Sequence, residues 1–177
     1  VVIGAGPAGS FCALNAARGG LRVALVDRAE FPRAKVCGDC INPKGWQLLR
    51  EAGVVSGLAT LTQSHPKTIR VGTPDQGLFD YSIPMAVEEV VMERALLDHA
   101  LVRAAMEAGV DFFPGSRIEA IRLGWEVEWK NGKVSGKFLV GADGRNSQVI
   151  RQLGLARPLR RDRTALHWHD DCPVGIE

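Results

Sequence analysis

The 177-residue chain holds only four cysteines, too few for a disulfide scaffold. It has no apolar run near the ~20 residues that a membrane-spanning helix requires, so no transmembrane helix is expected. It has no excess of charge of one sign. The 22 Lys and Arg stand against 20 Asp and Glu, a field too weak for nucleic acid to be the main partner. Internal repeats and low-complexity tracts are missing, and so is a signal peptide; a reducing, cytoplasmic setting is the expectation. The composition that remains, 46% hydrophobic and 24% charged, is that of a globular chain. Its length suits one domain, or one domain and a piece of another. Such a chain buries about two-thirds of its unfolded surface and needs no metal to fold.

The sharpest signal lies in the first residues. Val1-Val2-Ile3 is a β-branched run expected of a buried parallel strand. It enters Gly4-Ala5-Gly6-Pro7-Ala8-Gly9, a G-x-G-x-x-G turn. A helical stretch with Phe11 and Leu14 follows, then the stop Gly19-Gly20, a second strand over Leu21–Val26, and Asp27 at its end. Each residue type has a physical reason. Gly4 permits the turn, Gly6 lets main chain approach a pyrophosphate, and Gly9 lets the helix pack close. The phosphates then meet the N–H groups and positive dipole end of the helix. Asp27 lies 18 residues after Gly9 and can accept ribose hydroxyls, while its charge would repel a 2′-phosphate. A dinucleotide outweighs an ordinary glycine turn here, but the turn does not choose between FAD and NAD.

Further motifs narrow the choice. Residues 31–45 read Phe-Pro-Arg-Ala-Lys-Val-Cys-Gly-Asp-Cys-Ile-Asn-Pro-Lys-Gly. Met92-Glu93-Arg94-Ala95-Leu96-Leu97-Asp98 resembles an Arg-x-x-Leu-Asp helix start, and Ala142-Asp143-Gly144-Arg145-Asn146-Ser147-Gln148-Val149 resembles the A-D-G-x-x-S-x-V segment called the DG motif. Together with the glycine turn, this set resembles the geranylgeranyl reductase family, within the para-hydroxybenzoate hydroxylase-like flavoproteins, over residues 1 to about 154. The resemblance implies a Rossmann-like α/β FAD-binding domain with a parallel sheet, helices and a β-meander, joined to part of a β-rich substrate domain. It implies FAD held by Gly4, Gly6, Pro7, Ala8, Gly9, Asp27 and Arg28, with Arg33, Cys37 and Gly38 near the phosphates and flavin ring. Arg94, Asp143 and Gly144 would contribute on the flavin side. NAD(P)H is the electron donor the resemblance suggests. The implied substrate is a small apolar or aromatic molecule, and an enzyme handling it can sit on a membrane surface without spanning it. The sequence does not fix an oligomeric state.

One departure stands out. These families carry a later G-D motif for the ribityl chain, and nothing after Gly144 matches it. The chain also starts on a strand and ends at Glu177 without a stop signal. It therefore reads as a fragment of a longer enzyme, inactive alone and weak in flavin binding, with flavin expected in the full-length parent.

The intervening pattern suggests a helix over Pro43–Leu58 burying Trp46, Leu49 and Val54, and a hairpin-like excursion over Gln63–Pro84. A helix over Met92–Glu107 buries Leu97 and Leu101, and Gly109 stops it. A strand over Val110–Phe113 and a meander of Arg117–Leu123, Trp125–Trp129 and Val134–Val140 follow, with Asn131-Gly132 as a two-residue turn. Asn146–Leu153 reads as a short helix. The expected domain parts are residues 1–62 and 90–155 for the FAD-binding domain, 63–89 for an excursion into the substrate sheet, and 156–177 for the start of a return to it.

Several residues admit plainer readings. Cys37-x-x-Cys40 lies in a loop without the helix start that activates a redox thiol, and zinc would need His167, His169 or Cys172 as further ligands; Cys37 beside flavin is preferred. Cys12 is expected to pack in the first helix. Arg94 and Asp98 could form an ordinary surface pair worth about 0.3–0.5 kcal/mol, but the motif favours Arg94 facing the cofactor. The arginines between 157 and 163 read as a solvated edge. Three function classes follow: hydride transfer from reduced FAD to a carbon–carbon double bond of a prenyl chain, NAD(P)H-dependent monooxygenation or halogenation, and nucleotide binding without catalysis. The Phe31–Gly38 stretch favours the first.

Overall fold

A computed structural model describes residues 1–37, 39–58, 64–73, 75, 77–84 and 89–156. Gly38, Arg157 to Arg163, His167, His169 and Cys172 lie outside the described residues. The elements run β1 (Val2–Ile3), α1 (Pro7–Arg18), β2 (Ala24–Val26), β3 (Cys40–Ile41), α2 (Pro43–Glu51), α3 (Val55–Leu58), β4 (Thr68–Thr73) and β5 (Gly77–Ser82). Then follow β6 (Val90–Val91), α4 (Arg94–Glu107), β7 (Asp111–Phe113), β8 (Ile118–Arg122), β9 (Glu126–Trp129), β10 (Gly132–Ser135), β11 (Val140–Gly141) and α5 (Gln148–Gln152).

The centre is a four-stranded parallel sheet in the order β11-β1-β2-β7. The inner strands β1 and β2 are buried on both faces, which is why they read as unbroken apolar runs. Side chains alternate across it. Val2 and Leu25 enter a core shared with Leu14 of α1 and with Leu97 and Leu101 of α4. Ile3 and Val26 enter a second core with Ile118, Val127 and Val149. Helices thus cover one face and the antiparallel meander β10-β9-β8 the other. Leu14, Leu25 and Leu101 are fully buried, each contributing about 1.5–3 kcal/mol. The Rossmann-like α/β class expected from the sequence is the one observed.

Several local expectations are corrected. The helix over 43–58 is two, α2 and α3, because Gly53 takes φ +68° after the Ala52 cap. The strand expected over Val134–Val140 divides. Residues up to Ser135 finish the meander, while Val140–Gly141 cross to the parallel sheet beside Val2 and Ile3. The hairpin turn shifts by one residue: Gly132 pairs with Trp129, leaving Lys130 and Asn131 at the bend. Gly132 is needed for packing instead, since a Cβ there would lie 2.9 Å from the Trp129 indole. Trp125 does not continue the buried face of β9; it sits in the preceding turn at φ +54°, 39% exposed, while Val127 is fully buried. The excursion is a hairpin in which β4 and β5 pair from Thr68↔Ser82 to Thr73↔Gly77. A short pairing of β3 with β6, extended by Ser64 on Val91, was not foreseen.

Candidate functional site

The site forms where β1 meets α1. Gly4 turns the chain at φ +98°, and a Cβ there would lie 2.5 Å from the Ala142 carbonyl oxygen. A Cβ on Gly9 would land on the Gly4 carbonyl and press against Ala142. Gly6 differs. It caps α1 at an ordinary φ of −73°, no side chain caps that helix, and the nearest atom to an added Cβ is Arg33 Nη2 at 3.9 Å. Pro7 opens the helix and offers no N–H, and Ala8 is exposed beside it. The start of this 12-residue helix is therefore bare and faces open space. Ser10 closes the turn from inside, its Oγ donating to the Ala5 carbonyl at 3.1 Å.

Asp27 follows β2 and turns its carboxylate into the glycine turn. Oδ2 accepts the Ala5 N–H at 2.6 Å and Oδ1 accepts the Ala29 N–H at 2.8 Å. Beyond the ribose expected of Asp27 from the sequence, the structure adds a main-chain role that fixes the turn. A carboxylate has about four acceptor sites, so each oxygen keeps room for a further donor.

A cavity of about 310 Å³ lies between the turn, Asp27–Ala29, Arg33–Lys35 and Ala142–Asp143. Arg28, Arg33 and Lys35 bring three cations to it against Asp27 and Asp143. A smaller recess of about 60 Å³ shares Gly4, Asp27, Arg28 and Asp143 and is completed by Ser116, Arg117, Ile118 and Asn146 of the meander side. Gly144, at φ +80°, is exposed, with Lys35 Nζ 3.7 Å from where its Cβ would be. Asp143 lines the cavity, but its Oδ2 accepts the N–H groups of Gln148 at 2.6 Å and Val149 at 3.3 Å. It thereby caps α5, alongside Ser147 Oγ on the Ile150 N–H at 3.0 Å.

The Arg94–Asp98 pair is not a surface pair. Asp98 is wholly buried and Arg94 meets it through two bonds, Nε to Oδ1 at 2.8 Å and Nη2 to Oδ2 at 2.9 Å. Arg33 Nη1 joins from the loop, 3.1 Å from Oδ2. The Arg33 guanidinium also lies 4.8 Å from the Phe31 ring centre. Burial alone would make Arg94 less basic, but hydrogen bonds to Asp98 and to the Cys37 thiol outweigh it and push its pKa up. Arg33 and Arg94 thus share the Asp98 carboxylate, and Cys37 lies against Arg94. Cys40 points elsewhere, donating its Sγ–H to Glu89 Oε1 at 2.9 Å. Burial, with that bond and the Glu89 charge, pushes its thiol up to about 11, the reverse of an activated redox cysteine. The sequence missed Lys35 and the depth of Asp98. A cation two residues after Arg33 was the available sign of the first; the second had none, because burial of an i,i+4 pair depends on what packs over it.

The residues fit a dinucleotide: the glycine turn is unplugged, the helix start is bare, and cations and the Asp27 carboxylate surround it. The class this defines is a dinucleotide-binding protein of Rossmann-like fold. The model of the FAD binding domain family matches residues 1–171, and the chain belongs to that family. FAD is its cofactor. Among curated proteins, the menaquinone reductase of Mycolicibacterium smegmatis is 31% identical over 188 residues, 99% of this chain and 42% of that protein. The 1H-pyrrole-2-carbonyl-[peptidyl-carrier protein] brominase of Pseudoalteromonas luteoviolacea is 28% identical, over 88% of this chain and 39% of that protein. The solved structure of PqsL from P. aeruginosa with 2-aminobenzoylacetate superposes with a TM-score of 0.76 at 24% identity, over 92% of this chain and 47% of that one, a likeness of fold. The chain spans about two-fifths of the length of these curated relatives.

Proposed function

We propose that this chain supplies the nucleotide-binding part of an FAD-dependent oxidoreductase that reduces carbon–carbon double bonds in an apolar, prenyl-bearing substrate. The observation that carries the oxidoreductase reading is the bare start of α1 at Gly6, flanked by Asp27 and Arg33. The similarity to a menaquinone reductase supports the substrate class, since menaquinone carries a prenyl chain. When bound, FAD supplies the hydride chemistry. The residues of this chain bind and orient. The first turn of α1 and Arg33 receive the pyrophosphate, because free N–H groups and a planar guanidinium both suit phosphate oxygens. Asp27 holds the turn through Ala5 and offers its remaining lone pairs to the ribose. Arg94 stays cationic beside Cys37, and Lys35 stands over Gly144. NAD(P)H is the proposed donor of electrons.

A second reading, halogenation or monooxygenation, is favoured by the brominase relative. The separating experiment uses full-length protein, reduced under anaerobic conditions and mixed with a prenylated quinone. Flavin reoxidation that depends on the quinone, with a product two hydrogens richer in its prenyl chain, is the expected result. Reoxidation only on admitting oxygen, with oxygenated or halogenated product, overturns the reductase reading. A protein that binds FAD yet undergoes neither reaction is a binding module.

A further inference from the structure

The one fully buried acidic side chain among the described residues, Asp98, is joined to two arginines that reach it from different parts of the chain. Arg94 lies one helical turn before it on α4, and Arg33 comes from the loop after β2. Counted together, the three groups carry two positive charges and one negative. A positive remainder therefore sits beside the phosphate-facing turn. Arg33 bridges the two: Nη1 is on Asp98, while Nη2 faces the space above Gly6. A guanidinium has five donors in a rigid fork, so fixing one nitrogen fixes the direction of the others. Stacking near Phe31 restricts the same group from another side. A long side chain that would otherwise sample many rotamers is thus held ready before any ligand arrives, and the ordering cost of binding falls.

From this geometry we infer that Asp98 is a positioning residue for the cofactor: it acts through Arg33, aiming that guanidinium at the pyrophosphate of FAD. The inference rests on the FAD reading above. Asp98 does not itself touch the cavity, and its effect on binding passes through Arg33.

The test is a double-mutant cycle on the full-length protein with Asp98→Asn, Arg33→Gln and both together. FAD affinity is measured by flavin fluorescence, ADP affinity by calorimetry, and apoprotein stability by urea unfolding. Asp98→Asn should weaken FAD and ADP about tenfold or more in the presence of Arg33, and less than about twofold when Arg33 is already Gln; that interdependence is the mark of groups acting as one unit. A purely structural Asp98 would weaken binding equally in both backgrounds, and that result overturns the inference. Failure of Asp98→Asn to fold also counts against it. Arg33→Gln leaves Asp98 paired with Arg94 and gives an independent arm: unchanged FAD and ADP affinity in that variant overturns the inference as well. Wild-type protein that binds neither FAD nor ADP would instead remove the FAD reading beneath it.

Discussion

Gly6→Ala separates folding from cofactor binding at a single atom. Gly6 has an ordinary φ of −73°, and an added Cβ meets nothing closer than Arg33 Nη2 at 3.9 Å. Ala is a poorer helix cap than Gly, but it also lowers the entropy of the unfolded chain by a comparable amount. The net change in apoprotein stability should stay within about 1 kcal/mol. On the placement proposed for FAD, the added methyl group would occupy the place where main chain approaches the pyrophosphate. Losing one charge-assisted hydrogen bond there costs about 1.5–3 kcal/mol, or about 10- to 100-fold in Kd. Gly9→Ala is the control in the opposite sense: its Cβ falls on the Gly4 carbonyl, so the backbone itself must shift, at about 1–3 kcal/mol or more of stability. Urea unfolding of the apoprotein and fluorescence titration with FAD measure the two quantities separately. Unfolding of Gly6→Ala like that of Gly9→Ala, or FAD binding by it as tight as wild type, would overturn the role given to Gly6.

Asp143→Ala removes the acceptor for Gln148 and Val149 at the start of α5; a stability loss of about 0.5–2 kcal/mol is expected, with faster amide exchange confined to residues 147–152, and unchanged exchange there would contradict the capping role. Cys40, with its thiol raised to about 11, stays protonated at neutral pH, so alkylation at this residue should rise only as pH climbs toward that value. Glu89→Gln removes the charge beside the thiol and should bring the reaction to lower pH; peptide mass mapping of iodoacetamide adducts against pH would show whether it does.

What the sequence disclosed followed from how local each feature is. The first strand, the glycine turn, α1 and Asp27 all fall within the first 27 residues, and strand, turn and helix there are dictated by neighbours in the chain. The alternation of Val2 and Ile3 between two cores was equally implicit in their apolar character. Asp98 was harder. Its partner at i−4 was visible, but its burial was not, nor was its second partner Arg33, 65 positions earlier in the chain. The run Val134–Val140 misled for a related reason: alternating apolar residues describe a strand and not the sheet it joins, and β11 leaves the meander for the parallel sheet. Trp125 looked like a continuation of β9 because alternation cannot register a positive φ in the residue before a strand.

The contact between Gly4 and the Ala142 carbonyl has a mechanical consequence. Segments far apart along the polypeptide are seated against each other with no side chain between them, so they behave as a single rigid block. A methyl group added at residue 4 would press on the backbone of Ala142 and Asp143, so a displacement at either segment is felt at the other. On the placement proposed for FAD, its nucleotide half at the glycine turn and its flavin half beside Asp143–Gly144 would be registered to one another by main chain, independently of whatever rearranges farther out around the substrate.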